Sequence, residues 1–150
     1  MGVDCEFKQF NKGLQFFIQG DLDKAIACLD IAIRLAPRYS NAYWLRGQCR
    51  NTYEEGIPDF CIALELEPDV PDYYEKRAEA YYYCEDFKAA AKDYSEVIRL
   101  RPGFSIGFSG RGDTHKEMGE FELAIKDYDD ALKLEPDAVW QYYSRADCYR

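Results

Sequence analysis

The sequence predicts an all-α chain built from antiparallel helix pairs, and three observations carry that expectation. Four segments end alike, AIACLDIAIRLAP, GIPDFCIALELEP, AAKDYSEVIRLRP and AIKDYDDALKLEP, and their prolines Pro37, Pro68, Pro102 and Pro136 stand 31, 34 and 34 residues apart. Within each segment small and large residues recur at three- and four-residue steps, which is the spacing of a helix face and not of a strand. The small places are Ala25, Gly56, Ala90 and Ala124, the large ones Leu29, Phe60, Tyr94 and Tyr128, and a further apolar set is Ala32, Ala63, Val97 and Ala131. Upstream of each segment lies another small residue, Gly13, Gly47, Ala78 or Gly112. Two helices approach closely only where side chains are small, and a large residue then fills the neighbouring hole.

The elements follow in order. A helix over 5–19 carries Phe7, Phe10, Leu14 and Phe17 at i, i+3, i+7 and i+10, an apolar stripe. Gly20-Asp21 turns the chain into a helix over 22–35, which stops before Pro37 because the residue preceding a proline is pushed out of the α region. The next pair, 40–52 and 57–66, is irregular. Its two small places lie 9 residues apart where the other pairs have 12, so residues are missing around CRNTYEEG. Pro58 also falls where the second helix would be under way. Proline inside a helix costs about 3 kcal/mol but is tolerated in the first turn, so this helix is expected to start late, near Ile57, with Glu54-Glu55-Gly56 as its turn. A tolerated deletion explains this better than a functional kink. Helices over 71–84, 87–100, 105–118 and 121–134 follow, the last after the turn Gly119-Glu120, and a final one covers 139–150. The chain reads as one array, with repeats at about 6–39, 40–70, 71–104, 105–138 and a partial fifth at 139–150. Because it stops at Arg150 inside the aromatic run VWQYYSRADCYR, it is expected to be a piece of a longer protein.

At 150 residues, 47% apolar and 31% charged, the composition is that of a globular chain able to bury a core. Nineteen basic against 28 acidic residues leave a net charge of -9, which argues against nucleic acid and anionic membrane as partners. Aromatic residues reach 16%, mostly Tyr and Phe, and surplus tyrosine suits binding surfaces because an apolar ring ends in a polar tip. The start MGVDCEFKQF has no signal-peptide pattern, no apolar run is long enough for a membrane span, and Glu6 stands where a myristoylation motif needs Ser or Thr. Six scattered cysteines without a CxxC pair read as free thiols in a cytoplasmic or nuclear compartment.

No motif for nucleotide, metal or nucleophilic chemistry is present, so neither an enzyme nor a cofactor is expected. His115, the only histidine, takes a place held by Phe16 and Tyr81 in other pairs and reads as a core residue. Asp127, Asp129, Asp130 and Glu135 lack the loop spacing of a calcium site and read as a solvated helix face, leaving no metal site. Arg46, Arg77, Arg111 and Arg145 each precede a small residue of a first helix, while Asp59, Asp93 and Asp127 each precede a large residue of a second helix. A ladder of Arg–Asp pairs between neighbouring helices would account for both series.

The period of 34 and the small, aromatic and proline places resemble the tetratricopeptide repeat family over about residues 6–150. The resemblance implies helix pairs stacked in a right-handed superhelix, with the first helix of each unit lining a concave groove. Carried onto this sequence, the lining places are Phe7, Phe10, Leu14 and Phe17, then Asn41, Trp44 and Gln48. Asp72, Glu75, Glu79 and Tyr82 follow, then Ile106, Ser109, Asp113 and Lys116, and finally Trp140, Tyr143, Asp147 and Arg150. The candidate partner-binding set drawn from these is Phe7, Phe10, Leu14, Phe17, Trp44, Gln48, Glu75, Glu79, Tyr82, Asp113, Trp140 and Tyr143. One subset of the family holds acidic chaperone C-termini in a clamp of Lys, Asn and Arg. Here Phe10, Leu14, Leu45 and Asp72 fill those places and only Lys76 keeps a positive charge, so that ligand is disfavoured. The resemblance implies a non-catalytic protein-interaction scaffold for a peptide or helix with apolar anchors and basic residues. The alternatives are a homo-oligomerisation module using its end helices and a regulatory or adaptor part of a larger protein.

Overall fold

The computed structural model describes residues 5–150, and among them there are nine helices and no strand. In chain order these are α1 (Cys5–Gln19), α2 (Leu22–Leu35), α3 (Ser40–Gln48), α4 (Tyr53–Leu66), α5 (Pro71–Tyr83), α6 (Phe87–Leu100), α7 (Ser105–Glu117), α8 (Phe121–Leu134) and α9 (Val139–Asp147). They gather into two compact units, one reaching to Tyr73 and the other running from Tyr74 to Arg150. The first unit has a core of Ala25, Leu29, Ala32, Ala42, Leu45 and Cys49. The second is built around Ala78, Ala90 and Tyr94, and around Ala124, Tyr128 and Cys148.

Local chemistry sets the helix ends. Ala36, Glu67, Arg101 and Glu135, each followed by proline, leave the helical region with φ of -136°, -140°, -139° and -130°. Side chains of Asp21, Thr52 and Asp86 cap α2, α4 and α6 by accepting from the amides of Lys24, Glu55 and Ala89. The turns inside two pairs use Gly20 at φ 79° and Gly119 at φ 75°. Between α5 and α6 the same left-handed place is taken by Glu85 at φ 61°, with no glycine to mark the turn in the sequence.

Every small place at a pair's crossing is buried. Ala25, Ala78, Ala90 and Ala124 have no exposed surface, and a Cβ on Gly112 would meet the Tyr128 ring at 2.9 Å. The second pair corrects the expected late start. The helix α4 begins at Tyr53, three residues before Gly56, just as α2, α6 and α8 begin three residues before Ala25, Ala90 and Ala124. The shortening falls instead on the end of α3, which stops one residue after Gly47. Pro58 therefore stands inside α4, past its first turn, and the Glu54 carbonyl loses the bond that residue 58 would donate. Keeping Gly56 and Phe60 in register with Gly47 outweighs that loss. Elsewhere α5, α7 and α9 end one, one and three residues earlier than expected, within ordinary fraying.

The arginine ladder is present. Arg46 grips Asp59 with Nε and Nη2 at 2.9 and 2.6 Å, Arg77 grips Asp93 at 2.7 and 2.9 Å, and Arg111 grips Asp127 at 2.9 and 2.7 Å. The three carboxylates are buried, at 4%, 2% and 3% exposure. The sequence reading missed a second grip. Arg46 Nη1 reaches Asp30 at 2.6 Å, Arg111 Nη1 reaches Ser95 at 3.1 Å, and Arg145 Nη1 pairs with Asp129. Asp30, Ser95 and Asp129 each follow the large residue of the preceding second helix, so these arginines tie one pair to the pair before it. His115 also differs from expectation. Its ring is packed, but Nδ1 lies 2.6 Å from Glu120 Oε2 and Nε2 lies 3.7 Å from Asp127 Oδ2, so it joins the polar ladder and not an apolar core. The aspartates read as a solvated face are likewise engaged: Asp127 by Arg111, Asp129 by Arg145, and Asp130 by Lys133 at 2.6 Å.

Candidate functional site

In the first unit the expected apolar stripe is half covered by the chain itself. Phe7 is 50% exposed, but its ring lies 5.4 Å from that of Tyr39, and Phe10 lies 5.0 Å from the same ring. Phe10, Leu14, Phe17 and Trp44 are partly buried and pack on the alanine and leucine core. Truncating Phe10 or Leu14 therefore removes packing as well as surface. Trp44 donates its indole N–H to the Asp72 carbonyl at 3.3 Å and stands 6.0 Å from the Tyr73 ring. Gln48 donates to the Trp44 carbonyl at 3.5 Å, so both side chains are held.

The second unit contains a hollow of about 310 Å³ between α5, α6 and α7. Glu75, Glu79 and Tyr82 enter from α5 at steps of four and three, which puts them on one helix face. Asp113 comes from α7, with Ser109 and Ile106 one and two turns before it. The structure thus brings four of the expected binding residues together. It adds Lys76 and Tyr83 from α5, Tyr94 from α6, and Gly110. Tyr94 belonged to the series of large packing residues, and nothing in that series distinguishes a ring that also faces a hollow. Gly110 admits the ring: a Cβ there would meet three Tyr94 ring carbons at 2.4, 2.5 and 2.9 Å.

The hollow is acidic and partly dehydrated. One cation, Lys76, faces three carboxylates and is held by Glu79 Oε2 at 2.8 Å. Burial first, and then the charges of Glu117 and Asp113, push the Tyr82 phenol up to about 12. Tyr94 is pushed up by burial and then by Glu79, Asp113 and Glu75. Asp113 is raised above its ordinary 3.8 by burial, against the opposing effect of the Tyr128 O–H, which donates to Oδ1 at 2.7 Å.

A raised carboxyl penalises the ionised native state, so it lowers stability as pH climbs past 3.8 towards the native value and by a constant amount above it. Asp113→Asn keeps the Tyr128 bond and removes the charge. It is expected to leave stability unchanged at low pH and to raise it by up to about 1 kcal/mol at pH 7. Urea titrations of both proteins at pH 3 and pH 7 check this, and a loss at pH 7 would refute it.

Trp140 and Tyr143 lie on α9 at 69% and 64% exposure, away from the residues of the hollow. Among the described residues, no group of three or more His, Cys, Asp or Glu is arranged to hold a metal ion. All six cysteines are free thiols, and burial raises Cys49 to about 11. No described helix is long and apolar enough to cross a membrane.

A family model described as TPR repeat matches residues 13–49 and 112–149, and one described as Tetratricopeptide repeat matches 71–104. Among solved structures, MamA protein superposes with a TM-score of 0.93 at 18% identity, covering 98% of this chain and 82% of that one. YrrB, "a TPR protein with an unusual peptide-binding site", gives 0.84 at 18% identity, covering 94% and 74%. A tetratricopeptide repeat protein from Parabacteroides merdae gives 0.88 at 20% identity, covering 97% of this chain and 59% of its own length. At these identities the likeness is one of fold.

Proposed function

This chain belongs to the tetratricopeptide repeat proteins, and from that premise we propose that it is a non-catalytic scaffold that binds a partner peptide or helix along the faces of its first helices. The observation that carries the proposal is the acidic, tyrosine-walled hollow formed by Glu75, Glu79, Tyr82, Tyr94 and Asp113. A concave site that combines rings with a few convergent charges suits an extended segment, with apolar contact giving affinity and charge giving orientation. The excess of carboxylate favours a segment bearing Lys or Arg and repels an acidic one. The half-covered patch of Phe7, Phe10, Leu14 and Phe17, with Trp44 and Gln48 beside it, offers apolar anchorage in the first unit. The proposed repeat boundaries remain about 6–39, 40–70, 71–104 and 105–138, with a partial fifth at 139–150, and the free thiols fit an adaptor of the cytoplasm or nucleus.

Selection of a displayed peptide library on the purified chain is expected to enrich basic residues beside apolar ones. Glu75→Lys with Glu79→Lys is expected to slow association with the selected peptides about tenfold or more at low salt, and added salt to slow the unmodified protein likewise. Enrichment of acidic peptides, or association indifferent to salt, would overturn the reading. A second reading, self-association through α9, draws on the exposure of Trp140, Tyr143 and Tyr149, at 69%, 64% and 71%. Sedimentation of the chain against Trp140→Ser with Tyr143→Ser tests it, since that reading requires an assembly that these changes dissolve.

A further inference from the structure

We infer that the hollow of the second unit is a specificity pocket for an arginine side chain, in preference to lysine or a methylated ammonium. This deepens the scaffold reading and rests on it. Two features of the pocket decide between the cations. The first is the number of acceptors. Glu75, Glu79 and Asp113 face the hollow, and the one lining cation is Lys76. Lys76 engages Oε2 of Glu79, and the Tyr128 hydroxyl engages Oδ1 of Asp113, so these bonds leave the second oxygen of each carboxylate to a ligand. A guanidinium brings five N–H donors, an ammonium three and a trimethylammonium none. A quaternary cation would shield the second oxygens of Glu79 and Asp113 from water without bonding them, and partly buried acceptors left without donors are costly.

The second feature is the walls. The Tyr82 ring stands at 88° to that of Tyr83 with 5.5 Å between centroids, and at 67° to Phe87 at 5.6 Å, so the rings frame a corner. Tyr94 on α6 packs so closely on Gly110 of α7 that a Cβ there would meet its ring carbons at 2.4, 2.5 and 2.9 Å. A planar guanidinium stacks on such faces while its edge meets carboxylates, and it sheds its hydration more readily than a compact ammonium. The rise of both the Tyr82 and Tyr94 phenols, caused by burial and the neighbouring carboxylates, accords with a negative, partly dry pocket.

The test uses four pools of fluorescent pentapeptides with identical random flanks and a central Arg, Lys, trimethyl-Lys or Ala, titrated into the full chain by anisotropy. The Arg pool is expected to bind about tenfold more tightly than the Lys pool, the difference of one or two charge-assisted hydrogen bonds. The trimethyl-Lys pool is expected to fall to the level of the Ala pool. In Asp113→Asn, and separately in Glu79→Gln, the ratio of Arg-pool to Lys-pool affinity is expected to shrink at least about threefold. Thermal melts of both variants confirm that each is folded at the titration temperature, and either one suffices. Equal affinity for the Arg and Lys pools, or a lead for trimethyl-Lys, would overturn the arginine pocket and leave the scaffold standing. Failure of all four pools to bind would overturn both.

Discussion

Arg77→Met is expected to lower the stability of the fold by about 3–5 kcal/mol, because it strands a buried carboxylate. Asp93 lies on α6 with its side chain 4% exposed, and both of its oxygens are taken by the fork of Arg77 at 2.7 and 2.9 Å. The arginine in turn lies 5.8 Å from the ring centroids of Tyr74 and Tyr81, so its stem and head fill space as well as supplying charge. Arg77→Lys keeps the charge but loses the two-pronged geometry, and is expected to cost less than Arg77→Met but clearly more than nothing. Arg77→Met combined with Asp93→Leu should recover most of the loss, since removing both partners leaves no unpaired charge. Urea unfolding of the unmodified protein and these three variants measures the losses. A loss below about 1 kcal/mol for Arg77→Met would place the pair with ordinary surface ion pairs and refute the argument.

Gly56→Ala is expected to cost roughly 2–3 kcal/mol, although alanine favours a helix over glycine by about 1 kcal/mol. A Cβ at Gly56 would stand 2.6 Å from the Gly47 carbonyl oxygen and 3.2 Å from the Phe60 ring. The carbonyl is backbone and moves only if α3 moves with it. The other crossings pair Gly13 with Ala25, Ala78 with Ala90, and Gly112 with Ala124, so this is the one where neither helix carries a Cβ at its small place. Gly13→Ala is the control. Its Cβ would meet Leu29 Cγ at 3.0 Å and the Ala25 carbonyl oxygen at 3.3 Å, a looser approach than at Gly56, so the change should stay within about 1 kcal/mol. If denaturation shows Gly56→Ala costing no more than Gly13→Ala, the close approach of α3 and α4 is not what holds the short second pair in register.

Much of the fold is legible in the residues because it rests on local rules. The recurring prolines end their helices, a step of three or four marks one face, and small residues mark a crossing, so the helix pairs are legible in the residues. The Arg–Asp ladder was readable for the same reason, since both members repeat at fixed offsets from the small and large places. What spacing left open was decided by competition between distant parts. Local propensity alone would have started α4 at its proline, but packing of Gly56 and Phe60 on Gly47 holds it in register and shortens α3 instead. The second grip of Arg46 and Arg111 on the preceding helix needed the stacking of pairs, which no single repeat contains. At the candidate site, the family resemblance pointed to Glu75, Glu79, Tyr82 and Asp113. Only the tertiary structure could lay Tyr39 across the Phe stripe and turn Tyr94 into the wall of a hollow, because which face of a ring stays open depends on what packs against its other side.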